Sequence, residues 1–378
     1  MDFSLNDIQQ MLQDSAAKFI QNDYDFETRQ RFAQSELGFN PNNWSLFAEL
    51  GWLALPFSET YGGLDGNALD LMVLQTELGK GLITEPYIAS VVLGGNIVQR
   101  HGSEVQKTTL LEALIAGDLK LALAAQEASS QNDLTTITTT ANKTEGGYLL
   151  HGHKSVVLGA SCADKIVVLA RTSGKSSDKH GLSLFIIDPQ QAGVTLNSYV
   201  TNDGNQAADV AFENAFVSLE NVLGEVDTAF DNVKKVLNDA IVAVSAEAVG
   251  VMEKMLNATV EYCKVRKQFD QPIGNFQVLQ HRMADMFMEC EQSKSMLYYG
   301  AIAISSDDDA DKAASLLKIK IGTAGRLVGQ AAVQLHGGMG VTDELDVGHF
   351  FKRITMINTM FGSHDEHLDN LVKQQQIA

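Results

Sequence analysis

Ala240-Ile241-Val242-Ala243-Val244-Ser245-Ala246-Glu247-Ala248-Val249-Gly250-Val251-Met252 reads as a helix that is apolar on every side apart from Ser245 and Glu247. A helix without a polar face has to be covered all round, so it belongs inside a helical bundle. It runs toward Arg266-Lys267-Gln268-Phe269, and a second helix is expected from about Phe276 to Ile304. The acidic cluster Asp307-Asp308-Asp309 follows, placed where negative charge favours the positive end of the next helix. That helix ends in the small residues of Gln334-Leu335-His336-Gly337-Gly338-Met339-Gly340.

Upstream, the periodicity changes twice. Residues 1 to about 117 read as helical, with Ser4 and Asp7 as a capping box and Ile8, Leu12, Ala16 and Phe19 on one face. Leu53 to Gly66 interrupts the pattern with Pro56 and the turn Tyr61-Gly62-Gly63; it returns through Leu69 to Leu78 and again before His101. From about Asp118, short β-rich runs take over at Leu119–Ala125, Tyr148–Leu158, Lys165–Ala170, Leu182–Ile187 and Val210–Val217. Strands at this spacing predict a small antiparallel barrel or sandwich. No long helix alternates with them and no glycine-rich dinucleotide fingerprint follows a strand, which argues against a Rossmann unit. The expected class is α+β: an N-terminal helical domain (1–117), a middle antiparallel β-barrel or sandwich domain (118–225), and a C-terminal helical bundle of four-helix type (226–378).

Composition removes several function classes. The formal charge of -19 over 378 residues argues against nucleic acid, which needs clustered Lys and Arg, and against a standing attachment to anionic membrane. No apolar run reaches the roughly 18 residues of a membrane span. Cys162, Cys263 and Cys290 are too scattered for a disulfide framework or a metal pair. The N-terminal residues carry no secretory pattern. A soluble cytoplasmic protein without a metal is the expectation.

The polar and small residues of the helical region each carry two readings. Arg266 can hold a pyrophosphate and Phe269 can cover a flat ring system; equally, they are a surface ion-pair residue and a core aromatic. Gly337 and Gly338 can admit a diphosphate to backbone amides or simply end a helix. Glu247, if buried without a partner, becomes a base at neutral pH, although buried acids are usually paired. Asp239 stands nearer a helix-end cavity and is otherwise a solvated carboxylate. His364 to His367 lacks a third ligand in register and reads better as a polar helix start than as a metal site. No Gly-x-Ser-x-Gly nucleophile elbow is present.

Taken together, Trp52, Pro56, Tyr61-Gly62-Gly63, the Arg266 and Gln334 motifs, Ile273 and Phe276-Gln277 resemble the acyl-CoA dehydrogenase family along essentially the whole chain. Val347–Arg353 and Met356–Gly362 are similar, at finer grain, to the small subunit of bacterial pimeloyl-CoA dehydrogenase and its relatives. The resemblance implies an acyl-CoA substrate, FAD as cofactor, and an electron-transfer flavoprotein as acceptor. It implies that Arg266, Gln268 and Phe269 contact FAD across a subunit interface, and that Gln334, Gly337 and Gly338 hold its diphosphate–adenosine part. Ser363 and Asp365 correspond to polar flavin-nucleotide contacts. In the family a carboxylate removes the α-proton while the β-hydrogen leaves as hydride, so a base near the α-carbon is indispensable.

Two departures matter. The family's base, a Glu before a Gly-Thr/Ser pair, falls on Phe361, ahead of Gly362-Ser363. The alternative base position on the buried helix falls on Ala240, with Ile241 where a substrate-side Arg is often found; Asp239 is one residue away, about 100° round an ideal helix. In the β domain, the flavin-facing Thr-Glu-Pro-Gly segment reads Gln126-Glu127-Ala128-Ser129, and the usual Trp and Thr become Val156 and Leu158. These features imply a homo- or hetero-oligomer, foremost a pairing with a paralogous subunit that supplies the base. The other readings are a self-sufficient homo-oligomeric enzyme using Asp239, or less readily Glu247, and a flavin-free scaffold.

Overall fold

The computed structural model describes residues 4–130 and 132–377. Helices in chain order are α1 (Asp7–Asp23), α2 (Phe26–Ala33), α3 (Pro41–Glu49), α4 (Ala68–Gly81), α5 (Asn96–His101) and α6 (Glu104–Ile115), followed after the strands by α7 (Ala229–Val265), α8 (Gln277–Ser305), α9 (Ala310–His336), α10 (Asp346–Thr359) and α11 (His364–Ile377). The described chain gathers into two compact units. One takes the residues up to Arg31, Asn67–Ile83 and everything from Ile241; the other takes Phe32–Gly66 and Thr84–Ala240.

The first unit is helical, with α7 from Ile241 to Met252 buried at every residue, as an all-apolar helix requires. Its crossing with α4 depends on two glycines. A Cβ on Gly250 would stand 1.9 Å from the Thr76 carbonyl oxygen, and one on Gly79 2.2 Å from that of Glu247. A second close seam joins α9 to α10. Side chains at Gly322, Gly325 and Gly329 would run into Asn358, Ile354 and Phe351 at 2.4–2.5 Å. The missing side chains form a groove, and α10 lies in it.

The start of α1 differs from expectation. Asn6, not Ser4, caps the helix, exchanging bonds with Gln9. Ile8 is exposed, whereas Gln9 is buried, with its amide donating to Asp70 at 2.9 Å. A polar contact to α4 therefore sets the phase that Ile8 would otherwise have set.

The second unit carries one eight-stranded sheet: β1 (Leu121–Ala124), β2 (Thr140–Thr144), β3 (Gly147–Leu158), β4 (Lys165–Arg171), β5 (Leu182–Ile187), β6 (Val194–Val200), β7 (Gln206–Ser218) and β8 (Val222–Leu223). The order is β6-β7-β3-β2-β4-β5-β8, with β1 added beside β4. Most pairs are antiparallel, but β1 and β2 each run parallel to β4, so the sheet is mixed rather than purely antiparallel. Val168, Phe185, Val210 and Phe212 lie in its core. The helical part of this unit buries Trp52 and Phe57 completely, and Gly63 lets the Tyr61 turn fold back onto the Phe57 carbonyl. Ile88–Gly95 is wound as a π-helix, with Gly94 and Gly95 pressed on Leu121 and Phe57. Among the described residues, no helix is long and apolar enough to cross a membrane.

Candidate functional site

At the end of α7 the chain turns into a minimal hairpin. Lys267–Gln268 (β9) pairs antiparallel with Gln271–Pro272 (β10), and the Ile273 amide donates to the Arg266 carbonyl at 2.8 Å to close its base. The two turn residues, Phe269 (φ 54) and Asp270 (φ 62), are both left-handed, as a two-residue hairpin of this twist demands. A phenylalanine in that region is strained. Its ring is 86% exposed and lies edge-on to Phe276, with ring centres 6.1 Å apart. Arg266 and Gln268 are exposed beside it. None of the three packs as a core residue.

The second motif meets the first. Tyr262, one turn before Arg266, stacks on His336 with ring centres 4.4 Å apart, and its hydroxyl donates to the His336 carbonyl at 3.4 Å. His336 is buried, with Nδ1 at 2.9 Å from the Ala332 carbonyl. Gly337 (φ 61) ends α9, and neither it nor Gly338 has any atom within 4 Å of where a Cβ would be. Gln334, Gly337 and Gly338 are exposed. The ends of α7 and α9 thus present a cation, an aromatic, an amide and open glycine backbone together. That donor set suits a diphosphate-bearing ring cofactor approaching from outside the chain.

Ser363 and Asp365 lie elsewhere. Ser363 caps α11, its amide donating to Glu366 at 2.7 Å and its Oγ accepting from the Glu366 amide at 3.3 Å; Asp365 is exposed and engages only its neighbour His364 at 2.9 Å. His364 packs near Gly322. Gln334 is more than three turns further along α9, about 18 Å or more at the helical rise. The eight candidate cofactor residues therefore form two groups and not one pocket within a single chain. The His364–His367 run is a polar helix start, and among the described residues no group of three or more His, Cys, Asp or Glu could hold a metal ion.

The position where the resemblance puts the base holds no acid. Phe361 is half-buried with φ 56, followed by Gly362 at φ 108. Ala240 and Ile241 are buried hydrocarbons. Glu247 accepts two bonds from Arg353, at 2.5 and 2.7 Å, which is the structural role usual for a buried acid. Asp239 is half-buried rather than a freely solvated carboxylate: it accepts from Arg100 Nη2 at 2.7 Å. Burial pushes its pKa up, against the Arg100 charge and hydrogen bond. The cleft beside the start of α7, about 740 Å³, is lined by Arg100, His101, Asp231 and Asn232, and Asp239 is not on its wall.

In the sheet, Glu127 and Lys154 form a buried pair at 2.8 Å, with Thr138 and Thr139 amides also donating to Glu127. Burial pushes the Glu127 pKa up, but the Lys154 charge and these donors outweigh it and hold it at about 2. Val156 has φ 53 on a β-bulge, its amide donating to Asp209 at 3.0 Å. A β-branched residue there is a marked outlier. The strained backbone is present, while the side chain offers neither an aromatic face nor a hydroxyl. This part of the chain does not fit a stacked isoalloxazine.

Sequence reasoning missed two contributors, Tyr262 and Arg100, and read His367, which is buried, only as part of a polar helix start. Tyr262 carried a usable signal, an aromatic one helical turn ahead of the Arg266 motif. Arg100 is joined to Asp239 only through the fold.

Three family models match in succession: acyl-CoA dehydrogenase, N-terminal domain, over residues 6–118; the middle domain over 122–215; and the C-terminal domain over 230–375. A probable acyl-CoA dehydrogenase, YngJ of Bacillus subtilis, is 27% identical over 100% of both chains. The caffeyl-CoA reductase-Etf complex subunit CarC of Acetobacterium woodii is 29% identical, over 81% of this chain and 82% of its own. The solved FAD complex of PigA superimposes with a TM-score of 0.90 at 26% identity, covering 100% of this chain and 99% of PigA.

Proposed function

The chain belongs to the acyl-CoA dehydrogenase family, and from that premise we propose that it is an FAD-dependent subunit for α,β-dehydrogenation of an acyl-CoA thioester, working beside a paralogous catalytic chain. The observation that carries this reading is Phe361: the base position holds an aromatic, Glu247 is occupied by Arg353, and Asp239 is occupied by Arg100. Arg266, Gln268, Phe269, Gln334, Gly337 and Gly338 face outward at the ends of α7 and α9, as residues lent to a neighbour's cofactor would. The distance along α9 to Ser363 and Asp365 supports a cofactor shared between chains.

Bound FAD would supply the hydride acceptor. This chain's part is to hold the diphosphate with Arg266 and the glycine backbone, cover a ring with Phe269, and contact the nucleotide through Ser363 and Asp365. The partner supplies the carboxylate that takes the α-proton and the pocket that Val156 and Leu158 do not offer. The resemblance of Val347–Arg353 and Met356–Gly362 to the small subunit of bacterial pimeloyl-CoA dehydrogenase supports this division of labour, and a relative named as a subunit of a reductase-Etf complex supports electron transfer to such a flavoprotein. An electron-transfer flavoprotein as acceptor, a cytoplasmic location and the functional blocks 1–117, 118–225 and 226–378 belong to the same proposal.

The test is purification of the chain alone and together with the product of a neighbouring homologous gene. Flavin absorbance and acyl-CoA-dependent dye reduction should appear in the complex and be nearly absent from the lone chain. Full flavin occupancy and turnover by the lone chain would overturn the reading. One observation favours a self-sufficient enzyme instead: burial pushes the Asp239 pKa up, as a base requires. Asp239→Asn decides between them, since undiminished flavin reduction by acyl-CoA in that variant removes Asp239 as base.

A further inference from the structure

The loop Met360–Ser363 follows an unusual path, with Phe361 and Gly362 both at positive φ. A phenylalanine keeps such a backbone only when its surroundings over-determine it. His367 does so. Its Nε2 lies 2.9 Å from the Phe361 carbonyl, and its Nδ1 lies 3.2 Å from Ser315 Oγ on α9. A carbonyl can only accept, so Nε2 carries the proton and Nδ1 accepts from the serine hydroxyl. The ring also fills the space beneath Gly362, where a Cβ would stand 2.5 Å from Nε2.

Neighbouring ties hold the rest of the loop. Lys318, one turn beyond Ser315 on α9, donates from its buried Nζ to the Ile357 carbonyl at 2.6 Å. Glu366 accepts from the Ser363 amide at 2.7 Å. The backbone is therefore fixed before, within and after the left-handed pair. The charged groups facing the ring are Lys318 from α9 and Glu366 from its own helix; α10 and the loop present the Ile357 and Phe361 carbonyls.

We propose that His367, held between Ser315 and the Phe361 carbonyl, is a positioning residue that sets the path of Met360–Ser363 and with it the placement of Ser363 and Asp365 toward a flavin nucleotide. This rests on the reading that the chain lends those contacts to a cofactor. The clamp depends on protonation state. A second proton on the ring puts a cation beside the Lys318 ammonium in a buried site, where like charges repel strongly. Burial first, and Lys318 with it, already hold the ring below its usual pKa. Acid should loosen the loop.

The experiment pairs hydrogen–deuterium exchange of the segment from Met360 to Leu368 with FAD affinity of the purified chain and of its complex, both from pH 8 to pH 5. In the native protein, protection and FAD affinity should fall together as His367 protonates. His367→Gln retains a donor and an acceptor, so it should keep protection near the native level at neutral pH while reducing the pH dependence to the part contributed by Lys318, whose buried ammonium lies at about 7. His367→Leu should lose protection about tenfold at every pH, the effect expected for one buried hydrogen bond. Native protection, corrected for the intrinsic exchange rate, that is flat with pH, or His367→Leu protected like the native chain, overturns the clamp. Faster loop exchange in His367→Leu with FAD affinity unchanged overturns its role toward the cofactor. A protein that binds no FAD alone or in complex, yet shows the predicted exchange, overturns the functional reading and supports the clamp.

Discussion

Tyr262 and His336 stack at 4.4 Å with their planes 29° apart, and this contact joins the end of α7 to the end of α9. This aromatic pair ties the Arg266 motif to the Gln334 motif. Replacing Tyr262 by Phe keeps the stack and loses only a long hydroxyl bond, so it should change little. Tyr262→Ala should cost about 1–2 kcal/mol in denaturant unfolding, from a lost aromatic pair and some buried area. FAD affinity should fall with it. A Tyr262→Ala protein with native stability and native affinity would show that the two motifs are placed by other contacts.

The Glu127–Lys154 pair predicts an asymmetry. Lys154→Met removes one charge and leaves Glu127 ionised in a buried site, which should cost about 3–5 kcal/mol. The pH dependence follows from the depressed carboxyl. With a folded value of about 2 against 4.5 in a free chain, Glu127 contributes fully above pH 4.5, and its contribution is lost as pH falls toward 2. Urea melts at pH 7 and pH 3 should show a smaller penalty for Lys154→Met at the lower pH.

Lys318 acts in the opposite part of the pH scale. Burial pulls its ammonium down to about 7 from 10.5, with Glu366 opposing. Between those values the unfolded chain binds the extra proton, so stability should rise as pH climbs from about 7 and be lower below it. Lys318→Met should flatten this rise in thermal melts between pH 7 and pH 9.5. An identical slope in native and variant protein would mean that the lysine reaches water.

Gly250 is a steric prediction with no electrostatics in it. A methyl group at that position would meet the Thr76 carbonyl at 1.9 Å, and two helix backbones would have to part. Gly250→Ala should destabilise by about 3 kcal/mol or more, at the upper end of overpacking costs. Gly338→Ala, with open space around it, should leave the melting temperature within about a degree or two, the range of surface substitutions.

The bundle is legible in the sequence because Ala240–Met252 has no polar face, and its consequence, burial on all sides, needs no knowledge of the neighbours. The strands that alternate strongly or run apolar are legible for the same local reason. Thr140–Thr144 and Val194–Val200 are not, since they carry polar residues on both faces and are strands only because β3, β4 and β7 pair with them. The parallel placement of β1 against β4 is equally hidden. At the site, the motif residues are visible as types in order. Their partners are not: Arg100 and Asp239 are 139 positions apart, Glu247 and Arg353 are 106 apart, and no local pattern joins them. His367 is visible as a histidine and invisible as the support of Phe361.

The groove of α9 also limits how this protein can be changed. Every exchange at Gly322, Gly325 or Gly329 adds at least one carbon where α10 already lies, so mutational libraries aimed at that ridge will return mostly misassembled chains. Gly337 and Gly338, only a few positions on, have room for side chains, and backbone handedness restricts the first of them alone. Attempts to retune what the end of α9 recognises should therefore diversify the exposed residues just past His336, stopping short of the tightly packed Gly340, and leave the ridge before it as found.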